Sequence, residues 1–75
     1  MEGQKPVYEV LKAEEYKYGN NKFLEVSRKT VDGTETLFIS RGFYNPAGEK
    51  RYKGGIGFPD DEEIKTFLVE NINSI

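Results

Sequence analysis

Apolar and polar positions alternate along most of this chain. Over residues 22–29, Leu24 and Val26 fall on one side of an extended backbone, and Phe23, Glu25, Ser27 and Lys29 on the other. A period of two predicts a half-buried β-strand. Residues 34–44 form the clearest such run, with Leu37, Ile39 and Phe43 on one face and Phe38, Ser40, Gly42 and Tyr44 on the other. Between the two runs lies Val31-Asp32-Gly33-Thr34. Asp-Gly suits the primed two-residue turns whose twist matches that of paired strands, so a hairpin is expected there. Residues 49–58 read as a further strand, weakened by Gly54, Gly55 and Gly57 and preceded by a turn at Asn45-Pro46-Ala47-Gly48. Nearer the N-terminus, Tyr16 and Tyr18 are spaced for one strand face. A strand is favoured over about residues 10–18, although Lys12 to Glu15 would suit a helix equally well. Gly19-Asn20-Asn21 reads as a turn because both residue types accept positive φ.

After Pro59 the period changes. Ile64, Phe67, Leu68 and Ile72 recur at i, i+3, i+4 and i+8, one apolar stripe on a helix. Asp60 with Glu63 three residues later reads as a capping box, and Asp61 and Glu62 complement the helix dipole. The helix is expected over residues 61–71. Four strands and then a helix predict an α+β fold: a four-stranded antiparallel sheet with the C-terminal helix on one face. Residues 7–75 form the single domain, after a flexible tail over residues 1–6. One helix of about three turns covers only part of such a sheet, while Val69 and Ile75 widen the apolar surface beyond the stripe. Burying a Phe or Leu is worth roughly 1.5–3 kcal/mol. A homodimer in which helices meet through Ile64, Phe67, Leu68 and Ile72 would recover that energy.

Composition narrows the chemistry. A 75-residue chain buries only about 60–65% of its unfolded surface, so association is a natural supplement to its core. It has no cysteine and no histidine, which excludes disulfides, thiolate or imidazole metal sites and Ser-His nucleophile pairs. No run approaches the ~20 apolar residues of a membrane span, and the first residues lack a signal-peptide pattern. An intracellular protein without membrane attachment is expected. The densest acidic group, Asp60-Asp61-Glu62-Glu63, is best explained as a negatively charged helix start, since adjacent helical side chains point in different directions. The reading is non-enzymatic, with no catalytic residues, cofactor or metal. Lys53-Gly54-Gly55-Ile56-Gly57 matches neither a P-loop nor a dinucleotide turn. It reads as a strand kink or close backbone packing, or as a place where a ligand backbone approaches the sheet.

Net charge is −2, but the charges are segregated. Between Tyr16 and Gly54 the chain carries Lys17, Lys22, Arg28, Lys29, Arg41, Lys50, Arg51 and Lys53 against only Glu25, Asp32, Glu35 and Glu49. Aromatic residues interleave with these cations: Lys22-Phe23, Phe38, Arg41, Phe43-Tyr44 and Lys50-Arg51-Tyr52-Lys53. Single-stranded nucleic acid calls for this combination, cations following the phosphates and rings stacking on unpaired bases. Arg41 is unusual because it shares the face of Leu37, Ile39 and Phe43. Either the strand reaches solvent there, or Arg41 pairs with an acid, or it lines a ligand groove.

From Tyr16 to Ile72 the chain resembles the positive cofactor four family of transcriptional coactivators, which bind single-stranded DNA. The resemblance rests on Tyr16-x-Tyr18-Gly19-x-x-Lys22-Phe23-Leu24-x-Val26, Ile39-Ser40-Arg41-Gly42-Phe43-Tyr44, Pro46-x-Gly48-Glu49 and Lys53-Gly54-Gly55-Ile56-Gly57-Phe58 before an acidic helix start. It implies a strongly curved four-stranded sheet, a C-terminal helix, a dimer through helices and strand ends, and DNA contacts at Arg41, Tyr44, Lys50 and Lys53. The chain departs from the family in having Lys53 one residue early, Arg28 and Lys29 in place of an aromatic near the end of the second strand, and a longer 30–34 connection. These departures shift the balance from stacking toward phosphate contacts. The Pur repeat and Whirly proteins follow a related sheet-and-helix logic and bind single strands as well.

The resulting expectation is a homodimeric single-stranded-DNA-binding protein, RNA being the other strand it could take, with little sequence preference and a connection to the transcription machinery. Lys22, Arg28, Lys29, Arg41, Lys50, Arg51 and Lys53 would meet phosphate, and Phe23, Phe38, Tyr44 and Tyr52 are the candidate stacking rings, all converging on one concave cradle. The competing reading is a dimeric protein-interaction module.

Overall fold

The structure is a computed structural model and describes residues 8–75; the tail read over residues 1–6 lies outside them. Its elements are β1 (Tyr8–Tyr18), β2 (Lys22–Val31), β3 (Thr34–Tyr44), β4 (Lys50–Pro59) and α1 (Glu62–Ser74). The strands form one curved antiparallel sheet in the order β1-β2-β3-β4. β1 is strand throughout, and Lys12 to Glu15 take no helical turn. Pairing with β2 decides this, interrupted only by a register shift between Val10 and Lys12 that leaves Leu11 bulged. The turns follow the residue chemistry: Asp32 and Gly33 adopt φ of 52° and 85°, as a primed two-residue hairpin turn requires.

Cross-strand register assigns every side chain to one of two faces. On the Phe23 face, Phe23, Glu25, Ser27 and Lys29 of β2 stand beside Glu15 and Lys17 of β1, Phe38, Ser40 and Gly42 of β3, and Lys50 and Tyr52 beyond. On the Leu24 face, Lys22, Leu24, Val26 and Arg28 stand beside Tyr16, Tyr18, Leu37, Ile39, Arg41, Phe43, Arg51, Gly54, Ile56 and Phe58. Phe23, Glu25 and Ser27 are buried in strict alternation although no second layer covers them. The curved sheet draws the side chains of neighbouring strands over β2. Two glycines make room. A Cβ at Gly42 would lie 2.0 Å from the Arg51 carbonyl oxygen and 2.7 Å from the Phe23 ring. One at Gly57 would lie 2.8 Å from the Phe38 ring. Each glycine is thus covered by an aromatic ring from the same face. Close packing accounts for both positions, Gly42 in β3 and Gly57 in β4.

The helix corrects the sequence reading in two respects. Its N-cap is Asp61, whose side chain accepts a hydrogen bond from the Glu63 backbone N–H at 2.9 Å. Asp60 instead accepts from Arg28 of β2 and pairs with Lys65 at 3.1 Å. Second, α1 does not lie on the sheet. The extensive contacts among the described elements run only between neighbouring strands, and no residue of α1 is buried. Phe67 is 61% exposed and Ile72 69%. The apolar faces of helix and sheet are both real, but among the described residues they make no extensive contact, and only Ile64 and Leu68 of the helix's apolar stripe are half-buried.

A prediction follows from the glycine geometry. Gly42→Ala forces a methyl group into a backbone carbonyl and should lose about 3 kcal/mol or more in urea denaturation. Gly54→Ala, whose nearest neighbour is the Arg41 Nε at 3.9 Å, should stay within about 1 kcal/mol of the parent. Equal losses would contradict the packing described.

Candidate nucleic-acid interface

Alternation along the strands divides the eleven predicted contact residues. Phe23, Lys29, Phe38, Tyr44, Lys50 and Tyr52 belong to the Phe23 face, and Lys22, Arg28, Arg41, Arg51 and Lys53 to the Leu24 face. The single cradle expected from the sequence is therefore not formed within one chain, because residues an odd number apart on a strand point to opposite sides.

Most of the Phe23-face group is occupied in holding the sheet together. Phe23 is fully buried, so its ring offers no surface for stacking. Tyr52 meets it edge-on with centroids 5.3 Å apart, and Tyr44 tilts against it at 5.7 Å. The Lys50 ammonium sits 4.6 Å from the Phe23 centroid and binds the Glu15 and Glu25 carboxylates at 2.7 and 2.8 Å. The hydroxyls of Tyr44 and Tyr52 donate to Glu15 and Glu25, each at 2.6 Å. Burial pushes the Glu25 carboxyl up, but the hydrogen bonds from Lys50 and Tyr52 outweigh it and hold the group below its ordinary value. Lys50 and Tyr44 hold Glu15 low as well. Burial alone would lower the Lys50 pKa; its bonds to the two carboxylates and Tyr52 raise it instead. Glu15 and Glu25 are the residues that sequence reasoning missed here. Glu25 shares the Phe23 alternation and so was visible as a carboxylate on a buried face; Glu15 became its neighbour only through the β1–β2 register.

Two further predicted contacts also have structural partners. Arg28 holds Glu35 at 3.0 Å and Asp60, tying the helix start to β2. Arg51 pairs with Glu49 at 2.8 Å in an exposed contact. Lys29 and Phe38 lie together away from the turn between β1 and β2, the ammonium 5.0 Å from the ring centroid.

The remaining cations converge at one end of the sheet. Tyr18, Lys22, Arg41, Gly42, Phe43 and Lys53 line a groove of about 280 Å³ on the Leu24 face. Strand register builds it: Tyr18 pairs with Lys22, Lys22 with Phe43, and Arg41 with Gly54. The register shift between Arg41 and Gly42 makes Lys53 the extra residue of a bulge, with its ammonium 6.0 Å from the Phe43 centroid. Arg41 is exposed, and among the described residues neither it nor Lys22 nor Lys53 makes an ion pair. Of the three possibilities for Arg41, the structure realises solvent exposure at the rim of a groove. A second groove of about 390 Å³ continues around the β1–β2 turn, bounded by Lys17, Tyr18, Lys22 and Tyr44, and Lys17 lies 5.0 Å from the Tyr44 centroid. Lys17, Tyr18 and Phe43 thus join the site although they were not among the predicted contacts. A three-residue hairpin connection, Gly19-Asn20-Asn21, that pairs Tyr18 with Lys22 is the sequence signal for two of them.

The carboxylate network generates a pH prediction. Folded-state carboxyls with lowered pKa values contribute stability that is complete above about pH 4–5 and is lost as pH falls through the lowered values. Lys50→Met should cost roughly 2–3 kcal/mol at pH 7, less than for a fully buried pair because the Lys50 side chain is 31% exposed. Urea midpoints measured from pH 7 to pH 3 should fall more steeply for the parent than for the variant.

Compared with known proteins, the chain matches no family model, no curated protein and no solved structure.

Proposed function

We propose that this protein is a homodimeric, non-enzymatic single-stranded-DNA-binding protein of low sequence preference. The observation that carries the reading is the convergence of Lys22, Arg41 and Lys53, none in an ion pair among the described residues, with Tyr18 and Phe43 around one groove. In a chain with two more acids than bases, cations left without carboxylates at one sheet end create a local positive potential that the total charge conceals. Phosphates neutralise such a cluster, and the adjacent rings offer π faces to unpaired bases. Base edges go unread, so sequence preference is slight. Resemblance to the positive cofactor four family adds transcription as the setting.

The dimer rests on apolar surface. Phe67, Val69 and Ile72 on α1, and Leu24, Val26 and Ile56 on the Leu24 face, are all more than one-third exposed. Apolar exposure on this scale marks an association surface. Pairing two chains through Ile64, Phe67, Leu68 and Ile72 covers it and brings two grooves into one particle.

Two experiments test this. Affinity for oligo-dT should fall steeply as salt rises, and Arg41→Ala should lower it several-fold at low salt while reducing the slope of log K against log salt by about 0.7, one phosphate contact on a single strand. The variant's urea midpoint should be unchanged. A flat salt response in the parent would overturn the proposal. In light scattering the parent should show twice the chain mass, and Phe67→Glu should shift it toward monomer.

A further inference from the structure

β1 is an edge strand, and near its end it carries two aromatic rings that the fold does not use. Tyr16 and Tyr18 lie on the Leu24 face with centroids 6.5 Å apart and planes 20° from parallel. They are 70% and 41% exposed. Tyr44 and Tyr52 spend their hydroxyls on Glu15 and Glu25. Among the described residues the hydroxyls of Tyr16 and Tyr18 make no hydrogen bond. Neither ring serves the core, whose buried members are Phe23, Glu25, Ser27 and Leu37.

The spacing has a direct physical origin. An extended strand rises about 3.3 Å per residue, so side chains two apart on one face stand about twice that distance from each other. Stacked bases are about 3.4 Å apart along a strand. Two near-parallel rings with centroids 6.5 Å apart are therefore separated by close to twice the stacking distance, the spacing that a slot for one planar base calls for. The slot opens beside the cations. Tyr18 faces Lys22 across β1 and β2, while Tyr16 faces Leu24, which in turn faces Arg41.

We infer that Tyr16 and Tyr18 clamp a single unpaired base whose flanking phosphates run over Lys22 and Arg41. The inference rests on the nucleic-acid reading above and names the part of the ligand held on the β1 side. A base within a duplex has both faces covered by its neighbours and cannot enter the slot without unstacking. A base in a flexible single strand can. Every base has a π face, so the clamp selects single-strandedness without selecting sequence.

The test compares oligo-dT with an oligomer of abasic deoxyribose phosphate of equal length and charge. The parent should bind oligo-dT more tightly, by roughly 5- to 100-fold for one sandwiched base. Tyr16→Ala combined with Tyr18→Ala should erase most of that ratio, leave binding of the abasic oligomer unchanged and keep the slope of log K against log salt. Tyr16→Phe with Tyr18→Phe should restore the ratio, since the ring rather than the hydroxyl is required. The chain has no tryptophan, so quenching of tyrosine fluorescence by oligo-dT should weaken in the alanine variant. If the alanine variant keeps the full ratio, or loses binding only because light scattering shows a monomer, the clamp is wrong while the nucleic-acid reading stands on Arg41 and the salt slope. If the parent binds neither oligomer, both are overturned.

Discussion

Among the described residues no element packs extensively on the sheet, so the sheet must bury its core with its own side chains, and that constraint governs this molecule. Phe23 is fully buried only because Tyr44, Tyr52 and Lys50 close over it from the third and fourth strands. Two of those lids are phenols and the third is an ammonium, so each needs a polar partner once water is displaced. Glu15 and Glu25 supply them from the first two strands. The apolar centre and the charged ring around it are mutually dependent: without the carboxylates Lys50 would not stay over the ring, and without Lys50 two acids would face each other across adjacent strands.

The opposite face obeys a different balance. Leu24, Val26 and Ile56 are exposed there beside the half-buried Ile39, as are Phe67 and Ile72 of the helix. For 75 residues, this is a large share of the apolar surface to leave in water. Arg28 and Lys65 hold the start of the helix through Asp60, and beyond that point the helix makes no extensive contact with the strands. Among the described residues, helix and sheet each present an apolar face that no other element covers extensively, and this exposed surface is what the proposed dimer rests on.

The candidate site occupies the end of the sheet where these two balances leave charges over. Lys50 and Arg28 are committed to carboxylates; among the described residues, Lys22, Arg41 and Lys53 have none. A bulge at Lys53 brings its ammonium to the Phe43 ring, beside Lys22, Arg41 and Tyr18. Distribution of acids, more than of bases, thereby separates structural cations from those available to a ligand.

Local chemistry was legible in the residues themselves. Asp32-Gly33 dictated a hairpin because only residues tolerant of positive φ fit both positions. The alternation over residues 22–29 and 34–44 dictated strands and which side chains share a face. The i, i+3, i+4 stripe dictated a helix. What stayed hidden depended on pairing between distant segments. Which cations meet an acid follows from register, as with Glu15 beside Lys50, and periodicity within one strand carries no register information. Likewise, an apolar stripe states that a helix needs a partner without saying which surface provides it. Strand, turn and helix were therefore readable from the sequence alone, since they arise from interactions over a few residues. Only the tertiary structure decided that the predicted contacts divide between two faces and that three cations remain free at one end, because both depend on which distant residues share a face and a register position.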